Sequence, residues 1–341
     1  MGMIEDTDLA EVLHQRNLNE IRDLLPRVGY TAPMPAVESA GHDSVPPEAA
    51  AYLVHDNPRL HHLKGRYSRI DSAAVLHSVW TADYVSFDVP LRHFRADCAY
   101  MWQKRDRNLP IHYLCTYLYL REHSTRDILK SCTEDTLFGA YSLRFNDETL
   151  TRDRLDSVCE INFIRESLGI TPASRFTLLD IGSGYGRLGY RISQCFPNSR
   201  VFCADAIPES SFLCEFYLNF RRAGEVARMV PLDELGSRLK DEKIDIAVAI
   251  NSWSECSRET ISWWIEVLID RRVPYLMVAG SGDFDGGRAL LNVAGGKERP
   301  TDFLDIILRS GYKKVGSVPK FQEATMQQFG ISPTYYHLFA L

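Results

Sequence analysis

The chain has 341 residues, 45% of them hydrophobic and 25% charged, ordinary values for a globular protein long enough for two domains or one with a large extension. A formal net charge of −6 leaves no basic footprint, which argues against a nucleic-acid partner, and no apolar run reaches transmembrane length. The acidic N-terminus, Met1-Gly2-Met3-Ile4-Glu5-Asp6, is unlike a signal peptide, so a cytoplasmic protein with no membrane partner is expected.

Residues 6–25 carry Leu9, Val12, Leu13, Ile21, Leu24 and Leu25 at helical spacing, stopped by Pro26, and residues 30–47 read as a linker or irregular arm. Helical turns are predicted over 47–53 and 58–67. Val85, Phe87 and Val89 alternate like a short strand. Residues 94–103, with Tyr100 and Trp102, are dense in aromatic, charged and amide groups. That composition suits a sugar site, because a pyranose offers an apolar face and a rim of hydroxyls; an aromatic core between two domains is the alternative. Residues 109–121 are a helix candidate, and Ser124-Thr125-Arg126-Asp127 caps a shorter one. Tyr141 precedes a hairpin-like pair around Asn146-Asp147. Thr151 then reads as the N-cap of a helix that runs to Leu168 and ends at Gly169. Leu155, Val158, Cys159, Asn162 and Phe163 make one face of it, and Arg152, Asp156 and Glu160 another. The expected division is a mainly helical N-terminal domain over 1–150, covering the acceptor, and an α/β domain over 151–341.

An apolar run over 176–181 predicts a buried strand that breaks into Asp180-Ile181-Gly182-Ser183-Gly184-Tyr185-Gly186-Arg187, after which Leu188 and Ile192 resume a helical pattern. Strand, glycine turn and helix N-terminus make a pocket whose backbone N–H groups point at a ligand. The dinucleotide fingerprint needs a glycine where this chain has Arg187, and Asp180 would repel a pyrophosphate. A carboxylate there suits the positive end of a methionine-like ligand. A second apolar run, Val201-Phe202-Cys203-Ala204, ends in Asp205, placed for ribose hydroxyls. Together these residues resemble the first two motifs of class I S-adenosylmethionine-dependent methyltransferases. A nucleotide-fold turn that binds NAD or nothing is the alternative.

Strands are predicted at 176–181, 200–204, 228–230, 244–250, 275–279, 312–318 and 335–340, with helices near 185–195, 209–223, 258–271 and 301–309, the alternation of a parallel α/β sheet. The resemblance implies a Rossmann-like seven-stranded methyltransferase sheet, five parallel strands and a late pair whose last strand inserts antiparallel. Ligands in open parallel sheets sit beyond the carboxyl ends of the strands. On the resemblance, Gly182, Ser183, Gly184, Tyr185, Gly186 and Arg187 would meet the carboxypropyl part of S-adenosylmethionine, Asp205 its ribose, and Ala206 and Ile207 the adenine. Leu232 and Asp233 would bracket that ring, although a solvated loop acid is the other reading of Asp233.

Asn251-Ser252-Trp253-Ser254-Glu255-Cys256 is the most polar strand exit, and Asn251 and Ser252 complete the cofactor candidates. Plant-type small-molecule O-methyltransferases carry a catalytic His in a comparable stretch; aligned on Trp253, its place here is Asn251, which cannot take a proton. Glu255 is the first candidate base, with His93 and His337 as others. The plain alternatives are a helix N-terminal acid for Glu255 and a satisfied core histidine for His337. No spacing calls for a metal, though Glu255 with Asp233 or Asp283 offers a divalent-cation route. Residues 280–287 with Gly295-Gly296 frame a long loop with the composition of a lid or of a surface loop. The eight scattered cysteines form no Cys-x-x-Cys pair and read as reduced core residues.

Residues 94–103, Leu137-Phe138-Gly139-Ala140-Tyr141, Asp180 to Leu188, Asp205-Ala206-Ile207-Pro208-Glu209-Ser210, Trp253-Ser254-Glu255-Cys256 and Gly330 to Tyr336 are together similar to the sugar O-methyltransferases of bacterial natural-product gene clusters. That resemblance, from about residue 50 onward, implies O-methylation of a deoxysugar on a glycosylated natural product, with S-adenosylhomocysteine as product. Tyr100, Trp102, Tyr141 and Trp253 are the expected acceptor-packing residues. A methyltransferase for a phenol, carboxylate or amine, and a non-catalytic cofactor-binding module, stay open, as does a homodimer.

Overall fold

The computed structural model describes residues 38–39, 44–75, 79–80, 84–85, 90–96, 100, 109–123, 125–145, 147–281, 285–292 and 300–341. The sequence-predicted helix at 6–25, Trp102, Cys98 and Asp283 lie outside the described residues. Among the described residues no helix is long and apolar enough to cross a membrane, and no group of three His, Cys, Asp or Glu is placed to hold a metal.

Three sheets form. β1 (Glu38–Ser39), β2 (Tyr141–Phe145) and β3 (Glu148–Thr151) make a small antiparallel sheet. The main sheet holds β4 (Thr177–Ile181), β5 (Arg200–Ala204), β6 (Ala227–Met229), β7 (Ile246–Ile250) and β8 (Tyr275–Ala279). β9 (Leu291–Asn292) pairs with β10 (Thr301–Asp302), and β11 (Lys313–Pro319) and β12 (Tyr335–Ala340) complete the main sheet. Its order is β11-β12-β8-β7-β4-β5-β6. β4 to β8 pair in parallel and β12 inserts antiparallel between β8 and β11, the Rossmann-like arrangement that the class I methyltransferase resemblance implies. The order reverses between β4 and β7, so the crevice of an open sheet falls at their carboxyl ends.

Local chemistry explains the flanking helices. Helix Arg152–Leu168 starts where the Thr151 hydroxyl accepts from the Arg154 N–H at 3.1 Å and stops at Gly169, which is left-handed at φ 63°. Helix Pro58–Tyr67 starts on the Asn57 side chain, which accepts from the Arg59 N–H at 2.8 Å. It lies on helix Pro208–Phe220 through the Tyr67–Ser211 hydroxyl pair at 2.9 Å and the Lys64–Glu209 ion pair at 2.6 Å. Of the alternating trio, Val85 is buried in a helical turn and not in a strand, while Phe87 and Val89 lie outside the described residues. Two-residue periodicity over so short a run does not separate the two states.

Both hydrophobic cores draw on residues from either side of position 150. One joins Leu60, Leu63 and Phe94 to Phe212 and Leu276, and the other joins Leu114, Leu143 and Leu150 to Leu178 and Val248. The charged face of helix Arg152–Leu168 is buried too, with Asp153, Arg154, Asp156 and Glu160 all inside. Arg95 and Arg191, both fully buried, converge on Asp153 and Glu134, and Arg95 and Arg221 on Asp135. Burial opposes ionisation of Asp153, yet Arg191 and Arg95 hold its carboxyl well below the usual range.

Candidate functional site

β4 ends in a turn with Gly182, Gly184 and Gly186 at φ 70°, 55° and 83°. Space as well as conformation favours glycine at all three, a Cβ on Gly186 meeting Cys214 Sγ at 2.9 Å. A Cβ on Gly182 would lie 2.3 Å from the Ser252 Cβ, and one on Gly184 3.0 Å from the Tyr100 ring. The Gly182 N–H bonds the Ala204 carbonyl at 2.8 Å, and the Gly184 N–H bonds Asp205 Oδ2 at 2.9 Å. Asp205 Oδ1 accepts from the Ile207 N–H at 2.9 Å, so this carboxylate ties the β5 exit to the glycine turn. Burial pushes the Asp205 carboxyl up to about 6 against those lowering hydrogen bonds. Asp180 is pushed up to about 7 by burial, opposed by Arg187.

A cleft of about 1000 Å³, open mouth included, runs over this turn. Ile181 to Tyr185 and Arg187 line it after β4, Asp205, Ala206, Ile207 and Ser210 after β5, and Ile250 to Trp253, Glu255 and Cys256 after β7. Thr260 and Trp264 close one side, and Ala74, Trp80 and Tyr100 come in from the N-terminal part. Thr260 Oγ1 donates to the Ala73 carbonyl at 2.8 Å, which carries Ala74 to the cleft. After β7, Asn251 is left-handed at φ 61°, its N–H bonded to the Ala279 carbonyl at 2.8 Å. Ser252 Oγ donates to the Ile181 carbonyl at 2.9 Å. Glu255 Oε2 accepts from the Trp80 indole N–H at 2.5 Å. Two cleft-lining residues carry buried polar atoms with no hydrogen-bond partner among the described residues, Ser183 Oγ and Trp253 Nε1. Buried donors and acceptors are ordinarily paired, so these two await a polar ligand or water.

Two of the lining residues turn their polar ends to other partners, and further sequence candidates sit elsewhere. The Tyr185 phenol leaves the cleft and donates to Asp153 Oδ2 at 2.8 Å. Arg187 forks onto Glu160 at 2.7 and 3.0 Å and donates to Ser157 at 2.8 Å. Asp180 lies beneath the turn and does not line the cleft. Leu232 and Asp233 do not line it either: the Leu232 N–H bonds the Tyr67 hydroxyl at 3.0 Å, and Asp233 is gripped by both ends of the Arg66 guanidinium at 2.8 and 2.7 Å. Tyr141 belongs to β2 of the small sheet, and His93 packs beside Gly139. His337 is fully buried in β12, its Nε2 at 2.9 Å from the Gly287 carbonyl and its Nδ1 at 3.0 Å from Ser317 Oγ, the satisfied core histidine of the plain alternative. Trp80, Thr260 and Trp264 are cleft residues that no sequence motif flagged, since each sits apart from a recognisable strand exit, and Ser210 belongs to a motif that gave it no site role.

Neither a protein-family model nor a curated protein sequence matches this chain. Solved structures with a similar chain path include precorrin-6y C5,15-methyltransferase from Geobacter metallireducens, 16% identical with a TM-score of 0.36, covering 53% of this chain and 86% of that one. A SAM-dependent methyltransferase from Aquifex aeolicus is 15% identical with a TM-score of 0.38, covering 53% and 89%. The [4+2]-cyclase SpnF is 14% identical with a TM-score of 0.38, covering 68% and 96%. Likeness at these values assigns no activity to this chain.

Proposed function

We propose that this chain is an S-adenosylmethionine-dependent O-methyltransferase acting on a sugar hydroxyl, a deoxysugar of a glycosylated natural product in the first instance. The observation that carries the cofactor half is the glycine turn closed by Asp205, with Ser183 Oγ and Trp253 Nε1 buried beside it and without a hydrogen-bond partner among the described residues. The residues present fit the cofactor. The turn N–H groups of Gly182, Ser183 and Gly184 are spent on Ala204 and Asp205 rather than aimed at a ligand, so the polar contacts on offer are the Ser183 hydroxyl and the Asp205 carboxylate, with Ile207 an apolar contact and Ser252 the opposite wall. Asp180 and Asp205 put negative charge near a ligand that carries positive charge.

Held by Ser183, Asp205, Ile207 and Ser252, the cofactor would supply an electrophilic methyl group on a sulfonium, with a neutral thioether as its leaving group. Glu255 takes the acceptor hydroxyl proton and passes it to water. Trp80, Tyr100 and Trp253 exclude water and offer flat faces to a pyranose ring. A positioned base contributes about 10²–10⁴-fold to such a step. An amine acceptor is the second reading, supported by a carboxylate set among aromatic rings, which also suits an ammonium group.

Calorimetric titration of the EDTA-treated protein with S-adenosylhomocysteine, beside NAD and an Asp205→Ala variant, tests the cofactor. Micromolar binding that the substitution weakens is expected; preference for NAD, or no binding, overturns the methyltransferase reading. Methyl transfer to glycosides over matched amines and phenols then tests the sugar.

A further inference from the structure

We propose that Trp80 is the positioning residue for Glu255: its indole N–H, delivered across the cleft from the N-terminal part of the chain, sets the orientation of the carboxylate that faces the acceptor. The inference rests on the methyltransferase reading of the cleft. The two residues are 175 positions apart, and the hydrogen bond is 2.5 Å long, short for a bond to a carboxylate. An indole N–H donates only, so Trp80 holds the carboxylate as an acceptor.

Glu255 needs such a partner. Its backbone is fixed by the one-turn helix Ser252–Glu255, itself pinned where Ser252 bonds the Ile181 carbonyl and Ser254 Oγ accepts from the Ser281 N–H at 3.1 Å. A glutamate side chain keeps three rotatable bonds beyond that backbone, and freezing them is costly without a directional contact. Trp80 is wedged where it can supply one. Its ring is edge-on to Tyr84 at 5.5 Å and tilted against Tyr100 at 5.4 Å. Tyr100 in turn covers Gly184 and reaches Ser210 at 3.3 Å. The indole therefore joins the β7 exit, which carries the proton acceptor, to the glycine turn. Among the described residues, the other titratable groups around the cleft are Tyr84, Tyr100, Tyr185, Arg187, Asp205 and Cys256.

Trp80→Phe separates the roles, since it keeps a ring and removes the N–H. The first readout is the indole ¹H–¹⁵N spectrum of the full chain labelled at its five tryptophans, followed from pH 4 to 8. The peak missing in Trp80→Phe is expected to titrate in the wild type, and Glu255→Gln is expected to remove that transition. A pH-invariant peak, or a transition that persists in Glu255→Gln, overturns the proposal. The second readout is turnover of a panel of methyl glycosides. Trp80→Phe is expected to keep S-adenosylhomocysteine affinity within about threefold, to lower kcat by about tenfold or more, and to move the acid limb of the kcat/KM profile to higher pH. Parallel losses of affinity and kcat with an unmoved profile would make Trp80 a wall of the cleft and nothing more. Failure of the wild type to bind S-adenosylhomocysteine would sink the methyltransferase reading, while the indole titration would still decide the Trp80–Glu255 link.

Discussion

The Tyr185 hydroxyl meets Asp153 Oδ2 at 2.8 Å, so the central side chain of the glycine turn points away from the cleft into a buried ion network. Asp153 also receives Arg95 at 3.1 Å and Arg191 at 2.7 Å, which makes the helix Arg152–Leu168 a support for the turn. The glycine turn and Arg95 of the N-terminal part thereby share one buried carboxylate.

Removing that carboxylate takes one of their charge partners from two buried guanidinium groups, Arg95 and Arg191, which then share Glu134. Asp153→Ala is expected to cost about 3–5 kcal/mol, whereas Tyr185→Phe, which removes one hydrogen bond, should cost about 1 kcal/mol. Urea unfolding of the two variants measures the difference. Equal losses would mean that the network is not anchored on Asp153.

The turn glycines differ from a helical one in a way that substitution reveals. Gly182→Ala and Gly184→Ala combine positive φ with close contacts to Ser252 and Tyr100, and should lower both melting temperature and S-adenosylhomocysteine affinity. Gly65, inside helix Pro58–Tyr67 with open space around a built Cβ, should gain about 0.5–1 kcal/mol on change to Ala. Thermal melts of the three variants give the comparison; a stabilised Gly182→Ala would refute the packing argument.

Asp180 and Asp205 set one limb of the pH dependence. Both carboxyls are raised in the folded protein, to about 7 and about 6, so their contribution to stability is full below the unfolded carboxylate range. It is lost as pH rises through 6 and 7. A cationic ligand favours the ionised forms, so the thermal shift produced by S-adenosylmethionine, whose sulfonium makes it a net cation, should grow from pH 5.5 to 8. Asp180→Asn should stabilise the ligand-free protein at pH 8 and flatten that growth. A ligand-induced shift independent of pH would count against both carboxylates.

His337 sets the opposite limb. Burial lowers its pKa, against the Gly287 hydrogen bond, so its stabilising contribution is present above the unfolded value near 6.5 and lost as pH falls. His337→Gln should therefore reduce the loss of stability between pH 6.5 and 5 in melts, and should leave the pH profile of turnover unmoved. A shifted profile would restore His337 as a proton carrier.

Much of the architecture was legible in the sequence because it rests on local chemistry. Thr151 and Gly169 carry their own cap geometry, alternating glycines announce a left-handed turn, and apolar runs ending in Asp180 and Asp205 mark two parallel strands. The antiparallel insertion of β12 followed from family likeness, since alternation alone gives only a sheet. Val85 went astray because three alternating residues carry too little periodicity.

The sequence by itself determined the glycine turn, the acids after the first two strands and the polar exit at Asn251 to Cys256, all properties of neighbouring residues. Only the tertiary structure decided which side chains face the cleft. It turned Tyr185 and Arg187 into the ion network, paired Asp233 with Arg66, sealed His337 in the sheet and brought Trp80 across 175 residues to Glu255. The physical reason is that a strand or helix fixes where a residue stands, while the direction of its side chain depends on distant partners that spacing along the chain does not encode.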